Sequence, residues 1–349
     1  MSDNQELPGY QEVKTSRFAL PRLKWGRAIS AVVALLVVIN LALMWWWDKE
    51  VPLYDSVAKT SKDAAARGEK VVVGTLTTDA LIQVVDHILH KRGGYLSNAI
   101  LPPGIFMDNM PNWEFGALVQ CRDLARALRN GFSRSLTQSM EDKDLAEAEP
   151  LLSFTNDRWI VPSSVSQYTE AMRYLTRYRS RLQDGAKDDA QFFARADNLA
   201  DYLGIVESRL GSLSQRLSAS VGQLRINTDL GNDANAVGAR QGANQNVVRT
   251  PWYLVDDVFY ESRGSVFALV IFLHAIENDF GSVLDKKNAR VSLQQVIREL
   301  EEAQAPLESP IVLNGSSYGF FANHSLVLAN YISRANATVI ELRTLLQRG

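Results

Sequence analysis

Residues 192–220 read FFARADNLADYLGIVESRLGSLSQRLSAS. Apolar or small side chains fall at Phe192, Ala196, Leu199, Leu203, Val206, Leu210, Leu213 and Leu217, and the spacing runs on to Val221 and Leu224. The steps alternate four and three, with one doubled four after Leu217. That period keeps one side of an α-helix apolar; a half-buried strand would alternate at every second residue instead. The same rhythm returns in Val255, Phe259, Ser262, Val266, Leu269, Leu273, Ile276, Phe280 and Leu284, with its doubled four after Phe280. The two seams predict helices of about 45–50 Å each. The stretch between them, NTDLGNDANAVGARQGANQNVVRT, is rich in Asn and Gly and poor in large apolar groups. It predicts a flexible loop over 226–250 that buries little. Two long helices joined by a loop predict an antiparallel hairpin. Coiled-coil seams of this kind pair within one chain or between two, which leaves a homo-oligomer open.

Working outward, helical period dominates. A helix is expected from about Thr78 to Arg92, stopped by Gly93-Gly94. Residues 93–112 carry three prolines and read as an irregular connector. The next helix, about 113–138, has the face Leu118, Cys121, Ala125, Leu128, Phe132 and Leu136, so Cys121 reads as a packed thiol. The acidic run EDKDLAEAE after it reads as a solvated helical turn. A helix from Ser163 or Ser164 to Asp184-Gly185 carries Tyr168, Met172, Leu175 and Leu182 on one face. Another at about 290–304 carries Val291, Val296, Ile297 and Leu300. The last, from about Phe320 to Gln347, has the face Phe321, His324, Leu328, Ile332, Ala335, Val339, Leu342 and Leu346. VFALVIFLHAI (266–276) is eleven residues between Arg263 and Glu277. It is too short for a membrane span and reads as a helix deep in the bundle.

One stretch does have the length for a span. Ala28–Trp47 runs twenty residues without a charge, and only Ser30 and Asn40 are polar. At about 1.5 Å per residue it covers roughly 30 Å, the hydrocarbon thickness of a bilayer. It ends in Trp45, Trp46 and Trp47, with Trp25 and Arg27 at the other end; indole rings favour the headgroup boundary. A cleaved signal would have a shorter core followed by small residues. Lys14, Arg17, Arg22, Lys24 and Arg27 precede the span, while Asp48, Lys49, Glu50 and Asp55 come after it in mixed sign. Basic flanks stay on the cytoplasmic side. The expected organisation is a cytoplasmic tail over 1–27, a transmembrane anchor over 28–47 in the bacterial inner membrane, and a periplasmic helical domain over 48–349.

Composition agrees with a folded body, because a 46% apolar fraction suffices for a core. The net charge of −2 gives no basic excess to attract nucleic acid. With Cys121 alone, no internal disulfide forms.

Chemical motifs are sparse. GSSYG (315–319) matches G-x-S-x-G, with Ser317 as nucleophile and His324 as base. The elbow needs a parallel sheet, and none is expected; the competing reading is a turn that caps the last helix. His87 and His90 are three apart on one helix and could share a metal ion, but no third ligand motif accompanies them. Asp256, Asp257 and Glu261 read as carboxylates favouring a helix dipole. His274 and His324 read as hydrogen-bonded core histidines. Arg177, Arg179, Arg181, Arg195 and Arg209 read as a solvated face or an anion-binding one. No phosphate loop or dinucleotide turn occurs, and no cofactor is implied.

Three stretches carry a resemblance: the 192–220 segment, TPWYLVDDVFYESRG (250–264) and NGSSYGFFANHSLVLANYISRANA (314–337). They resemble a family of bacterial inner-membrane-anchored envelope proteins with no assigned activity, over nearly the whole chain after the tail. The resemblance implies envelope placement and no catalytic residues. The expected fold is therefore all-α, one transmembrane helix followed by an elongated periplasmic helical bundle. The expected function is that of a structural, scaffold or adaptor protein of the cell envelope whose partners are the bilayer and other envelope proteins. The alternatives are a binding module for lipid, cell-wall fragment or small ligand, and the serine hydrolase of GSSYG.

Overall fold

A computed structural model describes residues 22–135, 140–184, 189–226, 245–309, 311–316 and 318–348. Eleven α-helices occur among them, and the chain divides into two compact units, with the boundary between Leu43 and Met44.

The first unit is most of helix α1, Arg22–Trp47. Within it Gly26–Trp47 is a 22-residue apolar stretch long enough to cross a bilayer, with none of its most apolar part buried. The one amide donor in mid-span, Asn40 Nδ2, bonds the Leu36 carbonyl at 2.9 Å. That donor is thereby satisfied inside its own helix.

The second unit, from Met44 onward, is a helical bundle. Its elements are α2 (Ser56–Arg67), α3 (Thr75–His90), α4 (Asn109–Ala127), α5 (Lys143–Leu152), α6 (Ser164–Gln183), α7 (Ala196–Ser218), α8 (Val255–Asp279), α9 (Gly281–Lys286), α10 (Arg290–Glu302) and α11 (His324–Gln347). Local chemistry sets several starts. Asp55 caps α2 through the Ala58 amide at 2.8 Å, Ser163 caps α6 and Asn323 caps α11 through the Leu326 amide at 2.8 Å. A five-residue π-turn, Leu128–Phe132, widens the end of α4 and buries Phe132.

The centre is the crossing of α4 and α8, which run parallel. A Cβ on Gly264 would lie 1.9 Å from the Trp113 carbonyl oxygen, and one on Gly116 1.9 Å from that of Glu261. Ser265 Oγ donates to the Gly116 carbonyl at 3.0 Å. Around this contact Trp113 meets Phe267 with ring centroids 4.9 Å apart, and Phe132 meets Phe280 at 5.1 Å. Val266–Leu273 is wholly buried, as expected for a helix deep in the bundle. Each such Leu or Phe contributes roughly 1.5–3 kcal/mol by leaving water.

The seams are buried from Leu199 to Leu217 and from Val255 to Leu284, and they touch through Phe192 and Phe280, but neither is the other's main partner. α7 and α8 are antiparallel, and Arg216 bridges to Glu261 at 2.5 Å. Yet the main partner of α7 is α11: Ser214 bonds the Ala329 carbonyl at 3.2 Å, and Arg343 bonds the Ala200 carbonyl at 3.2 Å. α8 packs its seam on α3, α4 and α10. The doubled fours mark helix ends: α7 stops at Ser218 and α8 at Asp279. The helices have 23 and 25 residues, hence about 35 and 38 Å at 1.5 Å per residue, shorter than the seam predicts.

Four further expectations are corrected. The expected loop over 226–250 begins and ends in a ladder, strand β1 (Gln223–Ile226) pairing antiparallel with β2 (Gln245–Val248), while 227–244 lie outside the described residues. EDKDLAEAE is helical but not simply solvated: it builds α5, which buries Asp144, Leu145 and Ala148. Val291 and Phe321 are 76% and 68% exposed, and Leu293 takes the core position. α2 has only small apolar residues, Ala and Val, which is why period did not reveal it.

The crossing predicts opposite effects at two glycines. Gly264→Ala forces backbone apart and should cost about 1–3 kcal/mol or more. Gly211→Ala on α7 would place its Cβ 3.6 Å from Asn336 Nδ2, ordinary contact, and should gain about 0.5–1 kcal/mol of helix propensity. Thermal unfolding should show Tm falling for the first and rising for the second.

Candidate functional site

Two buried charge pairs lie close to where the chain leaves α1. Trp47 lies against Gly93, where a Cβ would come within 2.7 Å of the indole. Gly93 also has φ +79°, in the turn that follows α3, and its missing side chain makes room for the ring. Lys49 Nζ lies 4.0 Å over the Trp45 ring. Asn109 Nδ2 donates to Asp48 at 3.2 Å, and burial raises the Asp48 carboxyl above its ordinary range.

Glu50 is gripped by Arg263 from the middle of α8. Arg263 Nε lies 3.0 Å from Glu50 Oε1, and Nη1 donates to the Ala303 and Ala305 carbonyls at 2.9 and 2.8 Å. One guanidinium therefore neutralises the carboxylate and satisfies the orphan carbonyls beyond α10. Arg263 is 5% exposed, so the pair is shielded from solvent screening.

A second buried pair orders the 93–112 connector. Lys91 Nζ lies 2.6 Å from Glu114, whose carboxylate also accepts from the amides of Leu96 and Ser97, each at 2.8 Å, and from Ser97 Oγ at 2.6 Å. Both side chains are almost wholly enclosed. Beside them, Asn112 donates to Asp257 at 2.8 Å in the first turn of α8. Loss of solvent, then the charges of Asp108, Asp256 and Glu261, push the Asp257 carboxyl up to about 6. Asp257 is thus a strained acid as well as a dipole partner, and Glu261 is engaged by Arg216.

The histidines expected as a metal pair line one cavity of about 270 Å³ with Lys49, Glu50, Asp86, Lys91 and Arg92. His87 Nδ1 lies 2.7 Å from the Gln83 carbonyl, and its ring stacks on Tyr54 at 4.5 Å. His90 Nδ1 lies 2.8 Å from Asp86 Oδ1. Among the described residues no group of three or more His, Cys, Asp or Glu is placed to hold a metal ion.

Ser317 of GSSYG lies outside the described residues. His324 opens α11, where its Nδ1 accepts the Leu313 amide at 3.0 Å. That bond leaves the proton on Nε2, so the ring offers a donor rather than a base. Burial lowers its basicity further. It lines a cleft of about 370 Å³ with Phe259, Leu328 and Tyr331. Asn314 and Asn323 form a single antiparallel bridge, and no parallel strand pair occurs among the described residues. His274 is not a core residue: it is part-exposed, 2.9 Å from Glu301.

Of the five arginines, Arg177, Arg195 and Arg209 stay half exposed, while Arg179 and Arg181 turn inward. Arg179 pairs with buried Asp79; Arg181 bonds Asp142 at 2.7 Å and Asp144 at 2.6 Å; Arg209 bonds Asp123 at 2.6 Å. Arg195 pairs locally with Asp197. Arg177 is half exposed, 3.4 Å from Asp144. These carboxylates occupy the charges an external anion would need. Cys121 is fully buried, and burial pushes its thiol up, away from reactivity. Of the anchor residues, Trp45 and Trp46 are exposed and Arg27 opens the apolar stretch within α1; Trp25 lies in the same helix.

Sequence reasoning missed Glu50, Lys91, Glu114 and Arg263, which belong to no motif. The only signal was a charge set among large apolar neighbours, as in Trp113-Glu114-Phe115.

Glu114→Ala strands a buried ammonium and two amides. It should cost about 3–5 kcal/mol and remove hydrogen-exchange protection at Leu96 and Ser97. The Asp257 carboxyl titrates higher in the folded chain than its ordinary 3.8. Its stabilising contribution is full below that value and lost as pH rises through about 6. Asp257→Asn should therefore raise Tm at pH 8 and leave it unchanged near pH 4.

Residues 21–349 match the model of DUF2333, described as an uncharacterized protein conserved in bacteria, and the chain belongs to that family. Comparison with curated proteins and with solved structures returns no match.

Proposed function

We propose that this chain is a single-pass, membrane-tethered protein of the bacterial envelope. Its N-terminal tail lies in the cytoplasm and its helical body across the inner membrane in the periplasm. It acts through protein contacts as a scaffold or adaptor. The observation that carries the reading is α1, whose segment Gly26–Trp47 is apolar, unburied and 22 residues long. A helix with no charged face and no packed face needs an apolar solvent, and a bilayer supplies one.

The chain beyond the span supports an uncleaved anchor. A signal sequence removed by a peptidase is succeeded by an accessible, flexible site. Here Trp47 packs on Gly93, Asp48 meets Asn109 and Glu50 meets Arg263, so the body incorporates the residues just past the apolar stretch. The basic residues Lys14, Arg17, Arg22, Lys24 and Arg27 favour an inward N-terminus. A scaffold role draws support from the internal pairing of buried charged side chains, which leaves loops and apolar surface for contacts.

Topology and extraction test this reading together. A C-terminal alkaline phosphatase fusion should be active, and the full chain should resist alkaline carbonate extraction. A soluble mature chain lacking residues 1–47, or a reporter active only in the cytoplasm, would sink it. Crosslinking in intact cells should then recover other envelope proteins with the chain; recovery of the chain alone would remove the adaptor role.

A further inference from the structure

The body exposes several large apolar side chains, and three groups of them gather at one end. Asp48 is tied to Asn109 at the start of α4, and Asn112, one turn on, is tied to Asp257 at the start of α8. The segments leading into these two helices carry Leu101 and Phe106, 71% and 67% exposed, and Trp252 and Tyr253, 86% and 61% exposed. A third loop lies against the same connector. Tyr95 Oη donates to the Asn156 carbonyl at 2.8 Å, and Asn98 donates to the Arg158 carbonyl at 3.3 Å. The next residues are Trp159 and Val161, 55% and 86% exposed. Three loops thus present bulky apolar groups around the point where the chain leaves α1.

We infer that this end of the body is a second membrane-contacting surface, whose loop side chains enter the interfacial layer beside the span. The inference rests on the reading of Ala28–Trp47 as a transmembrane anchor. Continuity with that anchor selects the occupant: a face formed around Trp47 and Asp48 meets the headgroup layer before any soluble partner. The chemistry agrees. Trp and Tyr rings favour the headgroup boundary, and exposed apolar groups clustered on loops are costly in water. The three segments are turns and loops rather than α-helix or strand. The basic Lys49, Arg92 and Arg158 stand at the same end as the acidic Asp108, Asp157 and Asp256. The contact is therefore apolar rather than a polybasic attraction to anionic lipid.

The experiment uses the full chain in lipid nanodiscs, with one spin label at a time at Phe106→Cys, Trp159→Cys or Tyr253→Cys. Trp46→Cys reports the anchor, and Val291→Cys, 76% exposed at the start of α10, reports solvent. The native Cys121 is fully buried and leaves the labels unambiguous. The readout is collision with oxygen relative to a water-soluble nickel chelate. A severalfold higher ratio than at Val291 is expected at position 46 and at two or more of 106, 159 and 253, in neutral and in anionic discs alike. A lipid reading at 46 with water readings at the loop positions would overturn the inference and leave the anchor standing. A water reading at 46 would remove both. Lipid contact confined to anionic discs would overturn the apolar mechanism.

Discussion

The backbone approach of α4 and α8 at Gly116 and Gly264 is the constraint on which the bundle depends. With no side chain at either position, carbonyl oxygens of one helix reach the Cα surface of the other, and Ser265 can close a hydrogen bond across the gap. That proximity brings Trp113 onto Phe267 and Phe132 onto Phe280, so one crossing sets both ends of the core. It also fixes where the first turns of the two helices stand, and hence the ties from Asn109 and Asn112 to Asp48 and Asp257. Native-density packing makes such a contact close to all-or-none.

Internal pairing disposes of much of the charge. Glu50, Asp79, Glu114, Asp123, Asp142 and Asp144 each meet an arginine or lysine, several in shielded surroundings. Buried pairs contribute little net stability when intact, yet removal of one partner is severe. Their effect is on specificity of arrangement: Glu114 dictates the path of 93–97, and Arg263 dictates where the chain enters the body.

Much of the helical content was legible, and the reason is periodicity. Leu199, Leu203, Val206 and Leu210 mark a face whatever that face meets. The partner was not legible, because a heptad seam states only that something apolar covers it; α7 turned to α11, and α8 to α4. Polar residues misled in the other direction. Asp144 sits in a run that reads as solvent-facing, and Arg181 and Arg177, far along the chain, offset the cost of burying it. Arg179 and Arg181 looked like a solvated stripe for the same reason. The glycines that matter most gave no signal, since Gly116 and Gly264 sit inside helices where propensity alone counts them as faults. His87 and His90 share a helix face, but the carbonyl of Gln83 and the carboxylate of Asp86 already claim one nitrogen of each ring.

The α4–α8 contact also has a consequence for how the chain is made. Ser265 and Gly116, which meet in the centre, are 149 residues apart in sequence. Closing so long a loop is entropically slow, and contacts of this range lower folding rates. During synthesis from the N-terminus, the apolar flank of α4 waits uncovered until the whole of α8 has emerged. A nascent chain in that interval is adhesive, so its biogenesis calls for holding chaperones until α8 is complete.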